Sequence, residues 1–333
     1  MTSHSMLEAP APSSKAQFAD GFEPRVLLTV DTEEEFDWSA PFTRENHGLT
    51  HVLQLGRFQA FCEELGARPV YLVDWPIAND EAAIEIIGDA VKRNMADIGV
   101  QLHPWVNPPF EEQVNQVNSY AGNLPPELEF SKFNMLRDQI ESTFETSPRI
   151  YRAGRYGLGP ASAAMLKAGG IQLDSSVRSL FDYRSQDGPD YSSHPLTPYW
   201  VDDERKLLEL PVTSVYWGIL RQLGPQLQRL AASAPVVLGG LAKLGLLERI
   251  ALTPEGVTAD EAIRGIDIAL DDGLPLLVLS FHSPSLAPGH TPYTRFQADV
   301  EALYEWFHTI YAYLDQRGVR STSVDEILAA AIS

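Results

Sequence analysis

The chain has 333 residues, and its 25 lysines and arginines stand against 45 aspartates and glutamates, a formal charge of −20. That balance argues against nucleic acid and anionic membrane as partners and favours neutral or cationic ligands. A composition of 44% hydrophobic and 21% charged residues is globular, and the single cysteine, Cys62, excludes an intramolecular disulfide. The length suits one large α/β domain.

Residues 1–22 are rich in Ser, Ala and Pro and have no apolar segment of the kind that directs export. A disordered tail, a domain over 23–333 and a cytoplasmic location are expected from them. The first strand follows. Val26, Leu27, Leu28, Thr29 and Val30 form an unbroken apolar and β-branched run, as in a strand of a parallel sheet buried on both faces. It leads directly into Asp31, Glu33, Glu34, Glu35 and Asp37 within "LLTVDTEEEFDW". Like charges so close raise one another's pKa or recruit a cation, whereas a solvated acidic turn needs neither.

Strands and helices then alternate. "THVLQLGRFQAFCEELGA" has helical periodicity and "RPVYLVDW" is a strand; "DEAAIEIIGDAVKRN" is a helix and "DIGVQLH" a strand. A proline-rich loop spans about residues 104–126. The helix "KFNMLRDQIESTF", the strand "RIYRAG", the helix "GPASAAMLKAGG" and the strands "IQLD" and "KLLELPVT" follow, and a helical insertion is expected over 214–250. Its stretch 230–252 is apolar but broken by Pro235, Lys243, Glu248 and Arg249, so a spanning helix is not expected; a lid touching the membrane surface stays open. Thr258 and Glu261 have capping-box spacing at the head of a helix, "LPLLVLSFH" is a buried strand, and a long helix, a short strand and a last helix complete the chain. Seven to eight mainly parallel strands in this order point to a distorted (β/α) barrel, with a doubly wound sheet as the runner-up. No Gly-rich phosphate loop follows the first strand.

In a barrel, functional groups collect where strands meet their following loops. Those positions hold Asp31 and Glu33, then Asp74, His103, Arg152 with Arg155 and Tyr156, Asp174, and finally His282. Singly, each has a plain structural explanation: a turn cap, a satisfied core histidine, an arginine neutralising a buried acid. Together they would face one basin.

Taken in order, "LLTVDTEEEFDW", "VQLHPWVNPP", "YRAGRYG", "LDSSV" and "LSFHSPSL" resemble the successive motifs of the NodB-homology polysaccharide deacetylases, in particular a WalW-like branch, over about residues 25–325. The resemblance implies a distorted (β/α) barrel and a hydrolase that removes acetyl groups from an acetylated carbohydrate with a divalent metal, usually zinc. It implies Asp31 as general base, Glu33 and His103 as metal ligands, Arg152 as the group orienting the base, Tyr156 or a neighbour as an oxyanion contact, and His282 as general acid. The chain departs from the pattern at four points. Thr32 separates Asp31 from Glu33. Asn107 stands where a second histidine is usual, and an amide oxygen there would favour magnesium or manganese unless Asp74, Glu34 or Glu35 completes the set. Arg155 occupies the usual tyrosine position. Asp174 lacks its usual tryptophan neighbour and is either a substrate contact or a turn cap. Trp105, like Trp75 and Trp217, stacks on a sugar or fills the core. Two other readings remain: a different carbon–nitrogen hydrolase on the same barrel, and a carbohydrate-binding protein without metal.

Overall fold

The computed structural model describes residues 5–22, 24–224, 226–227, 240–241 and 244–332. Strands β1 (Arg25–Thr32), β2 (Pro69–Val73), β3 (Asp97–Leu102), β4 (Ile150–Ala153) and β5 (Leu173–Asp174) come in the expected order, followed by β6 (Tyr199–Trp200) and β7 (Leu208–Glu209). A hairpin of β8 (Ser214–Trp217) and β9 (Glu248–Ala251) precedes β10 (Leu276–His282) and β11 (Arg320–Ser321). The helices are α1 (Leu55–Glu64), α2 (Glu81–Lys92), α3 (Pro126–Phe144), α4 (Ser162–Ala168), α5 (Ala259–Asp271), α6 (Gln297–Gln316) and α7 (Val324–Ala330).

One curled sheet runs in the order β10-β1-β2-β3-β4-β5-β7-β6, with β11 also paired to β1. All its pairings are parallel except β6 with β7, so the mainly parallel, distorted (β/α) barrel is observed. Main-chain bonds from the segment between β7 and β8 bring its two ends together. Val212 N–H donates to Val177 and Thr213 N–H to Val278, while Leu252 N–H donates back to Thr213.

The period of two along each strand sorts the core. Val26, Leu28, Val30, Val100, Leu277 and Phe281 pack outward against the helices in one apolar cluster. Leu27, Val70, Leu72, Ile150, Leu276 and Val278 pack inward in a second, which α7 joins through Val324 and Ile327. Toward the strands' C-terminal ends the inward positions turn polar, with Thr29, Asp31, Gln101, Arg152 and Ser280 all buried. The barrel thus has an apolar floor and a polar mouth.

Three expectations are revised. Residues 5–22 do not form a disordered tail: Met6 and Ala16 are buried, Lys15 bridges to Tyr199 and Phe18 to Ala331, and the Phe18 and Phe22 rings stack. Ala16, Phe18 and Phe22 cover the apolar floor, which would otherwise face water. The insertion, expected as helical over 214–250, is rooted in a β-hairpin at both ends; its residues 225, 228–239 and 242–243 lie outside the described residues. Helix α3 begins at Pro126, six residues ahead of the expected start, because a proline at its first position needs no N–H partner there. The Thr258 and Glu261 capping box is present as expected, with bonds of 3.3 and 2.7 Å. Among the described residues no helix is long and apolar enough to cross a membrane.

Glu129 in α3 is 2% exposed and accepts a 2.6 Å bond from Ser162 Oγ. Burial pushes its carboxyl up to about 7 from 4.5. Between those values the unfolded chain releases a proton that the native state keeps, so this group's contribution to stability falls as pH rises through about 7. Glu129→Gln should therefore raise stability at about pH 8 by about 2 to 3 kcal/mol and flatten its pH dependence. Urea titrations across pH read this directly, and parallel pH profiles of the two proteins would refute it.

Candidate active site

Strand register builds the site. Asp31 on β1 is paired with His282 on β10, and Gln101 with Arg152 across β3 and β4. Gly154 follows β4 because a Cβ there would lie 2.4 Å from His103 Cδ2 and 2.6 Å from the Leu102 carbonyl. A cavity of about 340 Å³ opens at this mouth. Asp31, Glu33, His103, Arg152, Tyr156 and His282 all line it, as do Trp105 and Arg155.

Arg152 is 1% exposed and spends all five N–H donors. Nη1 donates to Asp31 Oδ1 and to Ser280 Oγ at 2.7 Å, Nη2 to Thr29 Oγ1 and Ser175 Oγ at 3.0 Å each, and Nε to the Ser175 carbonyl at 2.8 Å. The other carboxylate oxygen of Asp31 lies 3.7 Å from His282 Nε2. On its far side His282 Nδ1 donates to Glu255 Oε2 at 2.6 Å, and Glu255 Oε1 accepts from Ser285 Oγ at 2.6 Å and from the His282 N–H at 3.2 Å. Burial alone would lower the imidazole's pKa, but Glu255, Glu33 and Asp31 outweigh it and raise His282 to about 10. At neutral pH it holds two protons.

The second histidine has the opposite character. Burial drives His103 down to about 4 and keeps it neutral. Its Nδ1 is 2.8 Å from Glu34 Oε2, whose partner oxygen accepts from Trp105 Nε1 at 2.6 Å, and its ring stacks on Trp105 with centroids 4.4 Å apart. This leaves Nε2 as the acceptor, 3.4 Å from Glu33 Oε2. Glu33 Oε1 is buried with no hydrogen-bond partner, and burial pushes the Glu33 carboxyl well above the usual range. A buried carboxylate oxygen without a donor, beside a bare imidazole nitrogen, is a donor set suited to a divalent cation.

A second cluster lies behind it. Glu34, Asp74 and His103 each offer a donor atom within 4.8 Å of the others. Glu34 and Asp74 do not line the cavity, however, and both oxygens of Glu34 already accept N–H bonds. Burial and Glu34 push the Asp74 carboxyl well above its usual range, and its two oxygens accept the Glu34 and Ile77 N–H groups at 2.8 and 2.9 Å. The pair acts as a buttress that fixes the tautomer of His103.

Three expected residues are not brought to the cavity: Asp74, which lies behind it, Asn107 and Asp174. Asn107 is buried in the loop after β3, where its amide donates to the carbonyls of Pro108 and Lys132 at 2.6 and 2.9 Å. Lys132, itself fully buried, ties that loop to α3 through the carbonyls of Pro104 and Asn107 and the Glu112 carboxylate. Asp174 lies off the cavity with Ser176 Oγ donating to it at 2.6 Å, in a buried acid pair with Glu209 whose carboxyls burial pushes up. The turn-cap reading describes its contacts. Glu255, Arg178, Gln101 and the aromatic wall of Phe36, Trp38 and Tyr293 line the cavity without having been singled out. Glu255 carried a legible signal, a carboxylate just past the apolar run "IALT".

No protein-family model matches the chain, and no curated protein does. Among solved structures, the 4-α-glucanotransferase of Thermococcus litoralis aligns over 92% of this chain with 12% identity and a TM-score of 0.52, and this chain spans about 40% of that enzyme's length. A protein described as a candidate polysaccharide deacetylase from Mycobacterium smegmatis aligns over 94% of this chain and 98% of its own, at 15% identity and a TM-score of 0.48. For the family 4 acetyl xylan esterase of Clostridium thermocellum, solved with a cobalt ion, the figures are 91%, 90%, 12% and 0.43. The first is a likeness of fold alone. Activity has to be argued from the side chains.

Removing the charge of Glu255 tests the electrostatics of the mouth. In Glu255→Gln the His282 pKa should fall by about 1 to 3 units, followed by imidazole NMR titration. An unchanged value would mean that Glu255 does not set the protonation of His282.

Proposed function

We propose that the chain is a metal-dependent hydrolase that removes an acyl group, acetyl in the first instance, from an amide or ester of a sugar. The supporting observation is one cavity that holds an arginine-paired carboxylate, a doubly protonated histidine beside it, and a neutral histidine next to an unpartnered carboxylate. The motif order of the sequence points the same way.

Glu33 and the Nε2 of His103 would hold the ion, with zinc suiting a nitrogen and carboxylate set and magnesium or manganese as the harder alternatives. Such an ion supplies Lewis acidity, bringing the pKa of water from about 15.7 toward about 7 and favouring negative charge on an acyl oxygen. Arg152 holds Oδ1 of Asp31, leaving Oδ2 to take the proton of the attacking water as its oxygen bonds to the acyl carbon. His282 gives its Nε2 proton to the departing nitrogen or oxygen as that bond breaks, and Glu255 holds the ring in place at Nδ1. The products are the free acid and an amine or alcohol. Burial keeps the Tyr156 phenol protonated, so it offers an O–H to the acyl oxygen from the cavity wall. Trp105 braces His103 by stacking. At about 340 Å³ the cavity is near the lower end of ligand pockets and suits one sugar ring or a small amide better than a polymer threaded through a groove.

Two measurements test the assignment. Bound zinc, read by elemental analysis after reconstitution and dialysis, should be lost in Glu33→Ala and kept in Asp74→Asn; the reverse pattern would move the ion to the cluster behind the cavity. Acetate release from a panel of N- and O-acetylated monosaccharides should fall about 10²- to 10⁴-fold in Asp31→Asn with metal retained. Full turnover in that variant would sink the mechanism.

A further inference from the structure

The mouth of the barrel is acidic on one wall only. On the other lie Arg155 and Arg178, and among the described residues no carboxylate pairs with either. Elsewhere in this acid-rich chain arginines are routinely claimed, as Arg57 is by Glu301, Arg93 by Glu63 and Arg184 by Asp182. With 45 acids to 25 bases, two cationic groups left to neutral partners inside the one cavity that holds the catalytic constellation call for an explanation.

Both are held rigidly. Arg155 donates to Ser119 Oγ at 2.5 Å and Gln186 Oε1 at 3.0 Å and lies 4.1 Å over the Tyr120 ring. Its φ is +56° and that of Tyr156 is +61°, a left-handed conformation that two consecutive non-glycine residues rarely share. Arg178 donates to Tyr183 Oη at 3.2 Å, and its Nε is buried without a partner. Phe181 lies between it and Arg249, with guanidinium carbons 3.9 and 3.5 Å from the ring centroid. Rings, two hydroxyls and one neutral amide orient these guanidinium groups without neutralising them. A planar fork of N–H donors in that state matches a carboxylate or a phosphate.

We propose that the substrate carries an anionic group, a carboxylate or a phosphate ester, bound by Arg155 and Arg178 while its acyl group lies against Asp31, His103 and His282. The placement of the acyl group rests on the hydrolase reading; the anion site does not. The overall charge of −20, which favours neutral or cationic ligands at a distance, is reversed locally at this wall.

Calorimetric titration of the full chain with D-glucose, glucose 1-phosphate and D-glucuronate separates the cases, because none of these sugars carries an acyl group. At least one anionic sugar should bind about tenfold or more tightly than glucose, the phosphate and carboxylate arms showing which anion the site takes. That preference should disappear in the double variant Arg155→Gln/Arg178→Gln and return in part in Arg155→Lys/Arg178→Lys, with thermal melting confirming that each is folded. Equal binding of all three sugars, binding of none, or an anion preference that survives the double glutamine variant would overturn the proposal. Acetate release from N-acetylglucosamine, N-acetylglucosamine 1-phosphate and N-acetylmuramic acid forms the second arm. Anion binding without release from any of these would sink the deacetylase reading and leave the anion site standing.

Discussion

The buried pairing of Arg152 with Asp31 is the constraint on which the mouth of this barrel depends. An arginine excluded from water is costly unless every donor is used, and here each N–H has an acceptor, drawn from β1, from β10 and from the turn after β5. Arg152 on β4 and the turn after β5 are separated from β1 and β10 by β2 and β3 in the sheet, and they meet Asp31, Thr29 and Ser280 only when the sheet curls. Satisfying one guanidinium therefore fixes the curl of the sheet and the aim of the Asp31 carboxylate together. Thr29 and Ser280, unremarkable as sequence, are small hydroxyl residues because bulkier side chains would fill the space that Arg152 needs.

Around that centre the two histidines take opposite protonation states from their surroundings. His103 is enclosed by Trp105 and buried acids, and burial keeps it neutral. His282 faces three carboxylates and stays charged. One fold thus holds a neutral and a charged imidazole within a single cavity, separated by whether burial or the neighbouring carboxylates win. The acidic cluster of the first loop is divided the same way. Asp31 is paired with arginine, Glu33 is unpartnered and faces the cavity, Glu34 buttresses His103, and Glu35 turns away to accept from His51 and Thr50, which lower its carboxyl to about 2 despite burial.

Much of this was legible before any coordinates, and the limits have physical causes. Parallel strands announce themselves because burial on both faces demands long β-branched and apolar runs, as in β1 and β10. Two-residue strands such as β6, and the hairpin that roots the insertion, carry too few residues to show a period. The packing of residues 5–22 was hidden because a Ser- and Pro-rich composition says nothing of a floor that needs covering. Asn107 seemed a ligand by its distance from His103 in sequence, and the loop after β3 instead uses its amide to bind backbone carbonyls beside Lys132.

The sequence by itself determined the order of elements, the barrel class and most of the polar residues at the mouth, because each is written locally as an apolar run ending in a chemistry-bearing side chain. Which nitrogen of His103 is free, which acid of the first loop lacks a partner, and which arginines are left without a counter-charge were decided only by the tertiary structure. These are properties of contacts between residues tens to hundreds of positions apart, and the pattern along the chain does not encode their distances.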